Sequence, residues 1–103
     1  MKNYNKLVRD RIPEIIEKAG KNPVTRELTE EETEKYLLEK LEEEVAEFKE
    51  NKDFEELADI LEVIEAIVAL RGEHMETLEG IKADKKQERG GFRKRILLER
   101  VEE

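Results

Sequence analysis

The sequence has no cysteine and no tryptophan, only two prolines, and one histidine in 103 residues. Each shortage removes a class of protein. Without cysteine there is no disulfide framework, no thiolate metal site and no cysteine nucleophile. A lone histidine rules out a His-rich zinc site. No apolar run approaches the roughly 20 residues that span a bilayer. The opening Met1-Lys2-Asn3-Tyr4-Asn5-Lys6 leads into no apolar signal-peptide core. These features predict a cytoplasmic protein with no membrane partner.

What is abundant is charge. Charged residues make up 47% of the chain, with 28 acidic against 20 basic and a net charge of −8. Leu, Ile, Val and Phe still total 28 residues, enough to build a core. The charge is unevenly distributed. Residues 1–28 carry 7 basic and 4 acidic groups, residues 29–79 carry 5 and 19, and residues 80–103 carry 8 and 5. A net charge of −8 argues against a nucleic-acid polymer as partner.

The periodicity predicts a mainly α chain read as one domain, 1–103. A first helix is expected to start near Asp10 as N-cap, with Pro13 in the first turn and Gly20 as the stop. Thr29 and Glu32 have the spacing of a capping box, so a long helix should run from there to about Glu50. Its apolar stripe is Leu37, Leu38, Leu41, Val45 and Phe48. Asn51-Lys52-Asp53 reads as a tight turn, with Asp53 capping a third helix to about Arg71, closed by Gly72. That helix is apolar over most of its circumference, which predicts completion of the core by association into a homo-oligomer, a dimer or tetramer. A fourth helix is expected over 74–88, ending at Gly90-Gly91. Residues 95–101 read as a short strand or helical turn, able to pair as a β-hairpin with residues 23–28.

The acidic middle contains Glu43-Glu44-x-x-Glu47 and Glu56-x-x-Asp59. Residues three apart are neighbours on a helix face. In an antiparallel hairpin centred between residues 51 and 52, residues at equal height have numbers summing to 103, as both Glu44/Asp59 and Glu47/Glu56 do. Glu44 falls beside Leu37, Leu41 and Phe48; Glu56 and Asp59 border apolar positions of their own helix; Glu47 lies further towards solvent. Carboxylates converging on a partly dry face repel unless a cation joins them. An all-oxygen set favours Mg²⁺, with Mn²⁺ as substitute. Two blander readings stand beside this one. Acid-rich helix faces are commonly just solvated, and Asp53 with Glu56 also fits a capping box.

At these residues the chain resembles the MazG-like all-α nucleoside triphosphate pyrophosphohydrolases, which carry EExxE and then ExxD on two adjacent helices of a bundle. The opening Tyr4-Asn5-Lys6-Leu7-Val8-Arg9-Asp10-Arg11-Ile12-Pro13-Glu14 and the ending Arg89-Gly90-Gly91-Phe92 are similar to a small subgroup labelled phosphoribosyl-ATP pyrophosphohydrolase-like. The resemblance implies hydrolysis of a nucleoside triphosphate between the α and β phosphates, giving monophosphate and pyrophosphate. It also implies that Glu44, Glu47, Glu56 and Asp59 are Mg²⁺ ligands, with Glu43, Glu44 and Glu47 as the catalytic group. One of these glutamates, Glu47 among them, would accept the proton of the attacking water, and the sequence does not choose between them. Only eight residues separate the two motifs, which keeps the hairpin tight. Further motifs of the histidine-pathway enzymes are not evident.

A triphosphate also needs cations. Lys6, Arg9 and Arg11 form one group; Lys82, Lys85, Lys86, Arg89, Arg93 and Lys94 form another. Lys6, Arg9, Lys86, Arg89, Arg93 and Lys94 are the phosphate-binding candidates. Any of them is equally readable as solvated surface charge. His74 is read as a surface or capping residue. Tyr4 and Tyr36 read as packing residues, and Phe92 as a candidate for base stacking. The reading from another class is a non-catalytic acidic helical bundle acting as a dimerisation or partner-binding module.

Overall fold

The computed structural model describes residues 2–102. Four helices occur among them: α1 (Ile12–Lys18), α2 (Glu30–Asn51), α3 (Phe54–Leu70) and α4 (Met75–Arg89). The chain is mainly α, as its periodicity predicts. Residues up to Gly72 form one compact unit and those from Glu73 onward a second. No helix is long and apolar enough to cross a membrane, among the described residues.

In the first unit, α1 starts later than expected. Arg11, in helical conformation, occupies the N-cap, and Asp10 lies outside the helix. With Pro13 in the first turn, one of the first N–H groups needs no acceptor, because proline has none to satisfy. The C-terminus follows the expectation. Gly20 takes φ +83°, its N–H reaches Glu17 O at 2.9 Å, and Lys21 N–H reaches Ile16 O at 3.2 Å. This is a Schellman stop.

The Thr29 capping box forms. Glu32 N–H donates to Thr29 Oγ1 at 3.1 Å, and Thr29 N–H donates to Glu32 Oε1 at 3.0 Å. Arg26 adds a fork onto both Glu32 oxygens at 3.2 and 3.1 Å. The Arg26 bonds, then the Thr29 N–H, hold the Glu32 carboxyl down at about 2. A depressed carboxylate stabilises the fold above its unfolded value and ceases to do so as pH falls through its folded value. Glu32→Gln should therefore lower the urea midpoint at pH 7, and its gap from wild type should close as pH falls from the ordinary value of 4.5 towards 2. A gap of constant size across that range would assign Glu32 no ionic role.

The turn between α2 and α3 is as tight as the sequence suggests. Lys52 takes a left-handed φ of +58°, and its N–H bonds to Phe48 O at 2.8 Å. Asp53 occupies the N-cap of α3 but its side chain makes no capping bond. The Asp53/Glu56 capping box is thus not formed, which leaves the Glu56 carboxylate available to other partners. α2 and α3 pack together as an antiparallel hairpin. Leu37 on α2 (5% exposed) and Val63 on α3 (7%) are the buried apolar side chains among the described residues.

The second unit holds α4, with His74 at its N-cap position, exposed and without a side-chain cap bond, and Gly90 at its C-cap. The expected hairpin of 23–28 with 95–101 is not present: no strand occurs among the described residues. Val24, Ile96, Leu97, Leu98 and Val101 are all exposed. A two-stranded ribbon with no apolar face packed beneath it is marginal in water, which is the physical reason for the difference.

Candidate metal centre

The hairpin brings Glu44, Glu56 and Asp59 together. Each offers a carboxylate oxygen, and the three oxygens lie within 4.8 Å of one another. Glu44 comes from the middle of α2, and Glu56 and Asp59 from successive turns of α3. The tight Lys52-Asp53 turn sets that register. Glu47, expected at the level of Glu56, is not one of the three; about 60° further round the helix than Glu44, it is half-buried.

Glu44 is the unusual member. It is only 7% exposed, the one buried charged side chain among the described residues. One oxygen, Oε1, meets Lys40 Nζ at 3.4 Å. The other, Oε2, is buried with no hydrogen-bond partner. Burial, then the neighbouring Glu47, pushes the Glu44 carboxyl above its ordinary value; Lys40 opposes the shift, and Asp59 adds to it. A buried acceptor without a donor is costly, and a cation is the species that would satisfy it among three acids. The donor set is all oxygen, which suits a hard divalent ion such as Mg²⁺ or Mn²⁺. The residues present therefore fit such an ion.

The cations around the cluster pair with its carboxylates and their neighbours. Arg9 Nη2 donates to Asp59 Oδ1 at 2.7 Å. Lys6 Nζ donates to Glu43 Oε1 at 3.0 Å, and Lys40 Nζ to Glu43 Oε2 at 3.3 Å. The Lys6 bond, followed by Lys40, lowers the Glu43 carboxyl despite partial burial, and the same Lys6–Glu43 bond raises the Lys6 ammonium. Glu43 is thus a doubly paired carboxylate beside the cluster. Arg11 lies apart from these groups, paired with Glu14 at 3.5 Å.

Lys40 is the residue the sequence reading overlooked. Its spacing of three and four from Glu43 and Glu44 is the helical ion-pair signal that would have found it. Lys86, Arg89, Arg93 and Lys94 belong to the second unit: the first two lie in the last turn of α4, the others in the turn after Gly91, and all four are exposed. Phe92 is exposed beside them.

No family model matches the chain, and no solved structure matches it. A 43-residue stretch is 54% identical to an uncharacterized protein of Mycolicibacterium smegmatis, covering 42% of this chain and 44% of that protein. The match spans less than half the length of that relative.

Proposed function

We propose that this chain is a Mg²⁺-dependent nucleotide pyrophosphohydrolase that cleaves a nucleoside triphosphate, or a related nucleotide, between the α and β phosphates. The observation that carries the reading is the convergence of Glu44, Glu56 and Asp59 around a buried carboxylate oxygen with no partner. The two acidic motifs and the opening and closing segments point to the same chemistry by resemblance.

Glu44, Glu56 and Asp59 would hold Mg²⁺, or Mn²⁺ in its place, with Glu47 at the margin. The ion would supply charge neutralisation on the polyphosphate and acidify a water for in-line attack. Glu47, half-buried and near Glu44, is the group to accept the water's proton. Glu43, neutralised by Lys6 and Lys40, positions those cations at the site's edge. Lys6 and Arg9, in the same unit as the three carboxylates, would bind phosphate. The compartment proposed is the cytoplasm.

The test is a panel of ribo- and deoxynucleoside triphosphates with Mg²⁺, analysed for nucleoside monophosphate and pyrophosphate. Release of single phosphate would overturn cleavage at the α–β bond. A folded chain that turns over nothing on the panel would favour the second reading, a non-catalytic acidic helical module for dimerisation or partner binding. That reading has its own observation: α3 leaves Phe54 (85%) and Leu61 (57%) exposed. Self-association into a dimer or tetramer would cover such side chains under either reading.

A further inference from the structure

We propose that Arg9 is an exchangeable counter-cation: a divalent ion entering the carboxylate cluster displaces it from Asp59, and the freed guanidinium passes to a phosphate of the ligand. This rests on reading Glu44, Glu56 and Asp59 as metal ligands, and adds to it the order in which metal and polyphosphate are accepted.

Asp59 has two claims on it. It belongs to the trio of converging oxygens, and it accepts a short charge-assisted bond from Arg9 at 2.7 Å. The trio is more than a surface cluster of acids, because Glu44 is more than nine-tenths buried along its side chain and its Oε2 has no donor. A hard dication takes carboxylate oxygens at about 2.0–2.1 Å. A guanidinium bonded to the same carboxylate would then lie within about 5 Å of that ion, where like charges repel strongly. Metal and Arg9 therefore compete for Asp59.

Release of Arg9 is easy. Its side chain is 54% exposed, and an exposed ion pair is worth little. Residues 2–9 have no regular secondary structure, and only Leu7 and Val8 among them are half-buried. Asn5, just before Lys6, takes a left-handed φ of +45°. Once free, Arg9 stands at the rim of the cluster with a planar fork that matches a phosphate's oxygens. Because the metal uncovers the phosphate-binding group, affinity for each ligand rises with the other, as linkage requires.

The experiment compares wild type with Arg9→Gln, Arg9→Lys and Arg26→Gln. Arg26 bonds Glu32, 12 residues and about 18 Å along α2 from Glu44, so Arg26→Gln removes the same charge away from the site. Mn²⁺ titrated alone and followed by electron paramagnetic resonance should bind about tenfold more tightly to Arg9→Gln than to wild type. Arg26→Gln and Arg9→Lys should stay near wild type. At saturating Mg²⁺, calorimetry with inorganic triphosphate should show about tenfold weaker binding to Arg9→Gln, the opposite sign. In wild type, Mg²⁺ should shift the Arg9 Nε–H resonance towards that of a free guanidinium and leave Arg26 in place. Equal Mn²⁺ affinity in wild type and Arg9→Gln, an unmoved Arg9 resonance, or unchanged triphosphate binding would each overturn the exchange. Absence of Mn²⁺ binding in all four proteins would overturn the metal centre itself, and the exchange with it.

Discussion

Divalent-cation binding should disappear in Glu44→Gln while the same variant becomes harder to unfold with urea. Both effects come from one side chain. Glu44 is buried, shares its surroundings with Glu56 and Asp59, and has one oxygen with no donor. The amide keeps the shape and leaves an acceptor for Lys40. It also removes a buried negative charge and places an N–H₂ donor where two acceptor carboxylates converge. Relief of an unsatisfied buried group is worth on the order of 1 kcal/mol, here in the stabilising direction. Metal affinity should move much further. Loss of an outer-shell partner commonly costs about 10- to 100-fold, so removing a charged ligand from the centre should exceed a hundredfold. Mn²⁺ titration and urea unfolding at pH 7 without added metal check the two halves. A variant that kept Mn²⁺ binding and lost stability would identify Glu44 as a structural partner of Lys40 and remove it from the proposed centre.

The opposed signs matter because they separate a site from a solvated acidic face. Neutralising an exposed glutamate changes stability by a few tenths of a kcal/mol and metal affinity hardly at all. A group placed for function at a cost to the fold shows the trade-off that this variant is designed to expose.

How much of this was legible in the sequence depends on the range of each interaction. Several local signals carried, although the side-chain caps read at Asp10 and Asp53 did not form. The Thr29/Glu32 box, the Gly20 stop and the turn at Lys52-Asp53 depend on residues three or four apart, and each forms. The register argument for the hairpin also located Glu44 opposite Asp59, because a two-residue turn leaves little freedom in the pairing of two helices. It was coarser on the second pair. Glu56 joins Glu44 instead of forming a separate level with Glu47, since the helical rotation that takes Glu44 inward carries Glu47 sideways. The Arg9–Asp59 bond spans 50 residues and the Lys6–Glu43 bond 37, and no spacing rule connects partners so far apart. Arg9 was recognisable as a cation of interest, but its partner was visible only once the opening segment was folded against the hairpin. The ends failed for a different reason. Apolar residues at 95–101 suggested a strand, yet a strand requires a ladder partner, and composition cannot supply one.

Leu37→Ala should be the most damaging single truncation in the chain, lowering stability by about 3 kcal/mol. The cost follows from how little core there is. Leu37 and Val63 are the buried apolar residues among those described, whereas Leu38, Val45, Leu57 and Leu61 on the same two helices remain exposed. Domains of this size commonly hold about 5–15 kcal/mol in total, so the loss would be a large fraction of what is available. Leu38→Ala, on the neighbouring position of α2, should cost well under 1 kcal/mol in an isolated chain, because an exposed leucine has little burial to lose. The pair of variants thereby also examines association. Urea unfolding of wild type and both variants, repeated over a hundredfold range of protein concentration, distinguishes the cases. A midpoint independent of concentration, with Leu38→Ala near wild type, fits a chain that folds alone on the Leu37–Val63 layer. A midpoint that rises with concentration, with Leu38→Ala nearly as damaging as Leu37→Ala, fits an oligomer in which the exposed stripe is a second core. The physical argument favours the latter, because a helix as apolar around its circumference as α3 gains stability from every face it can bury.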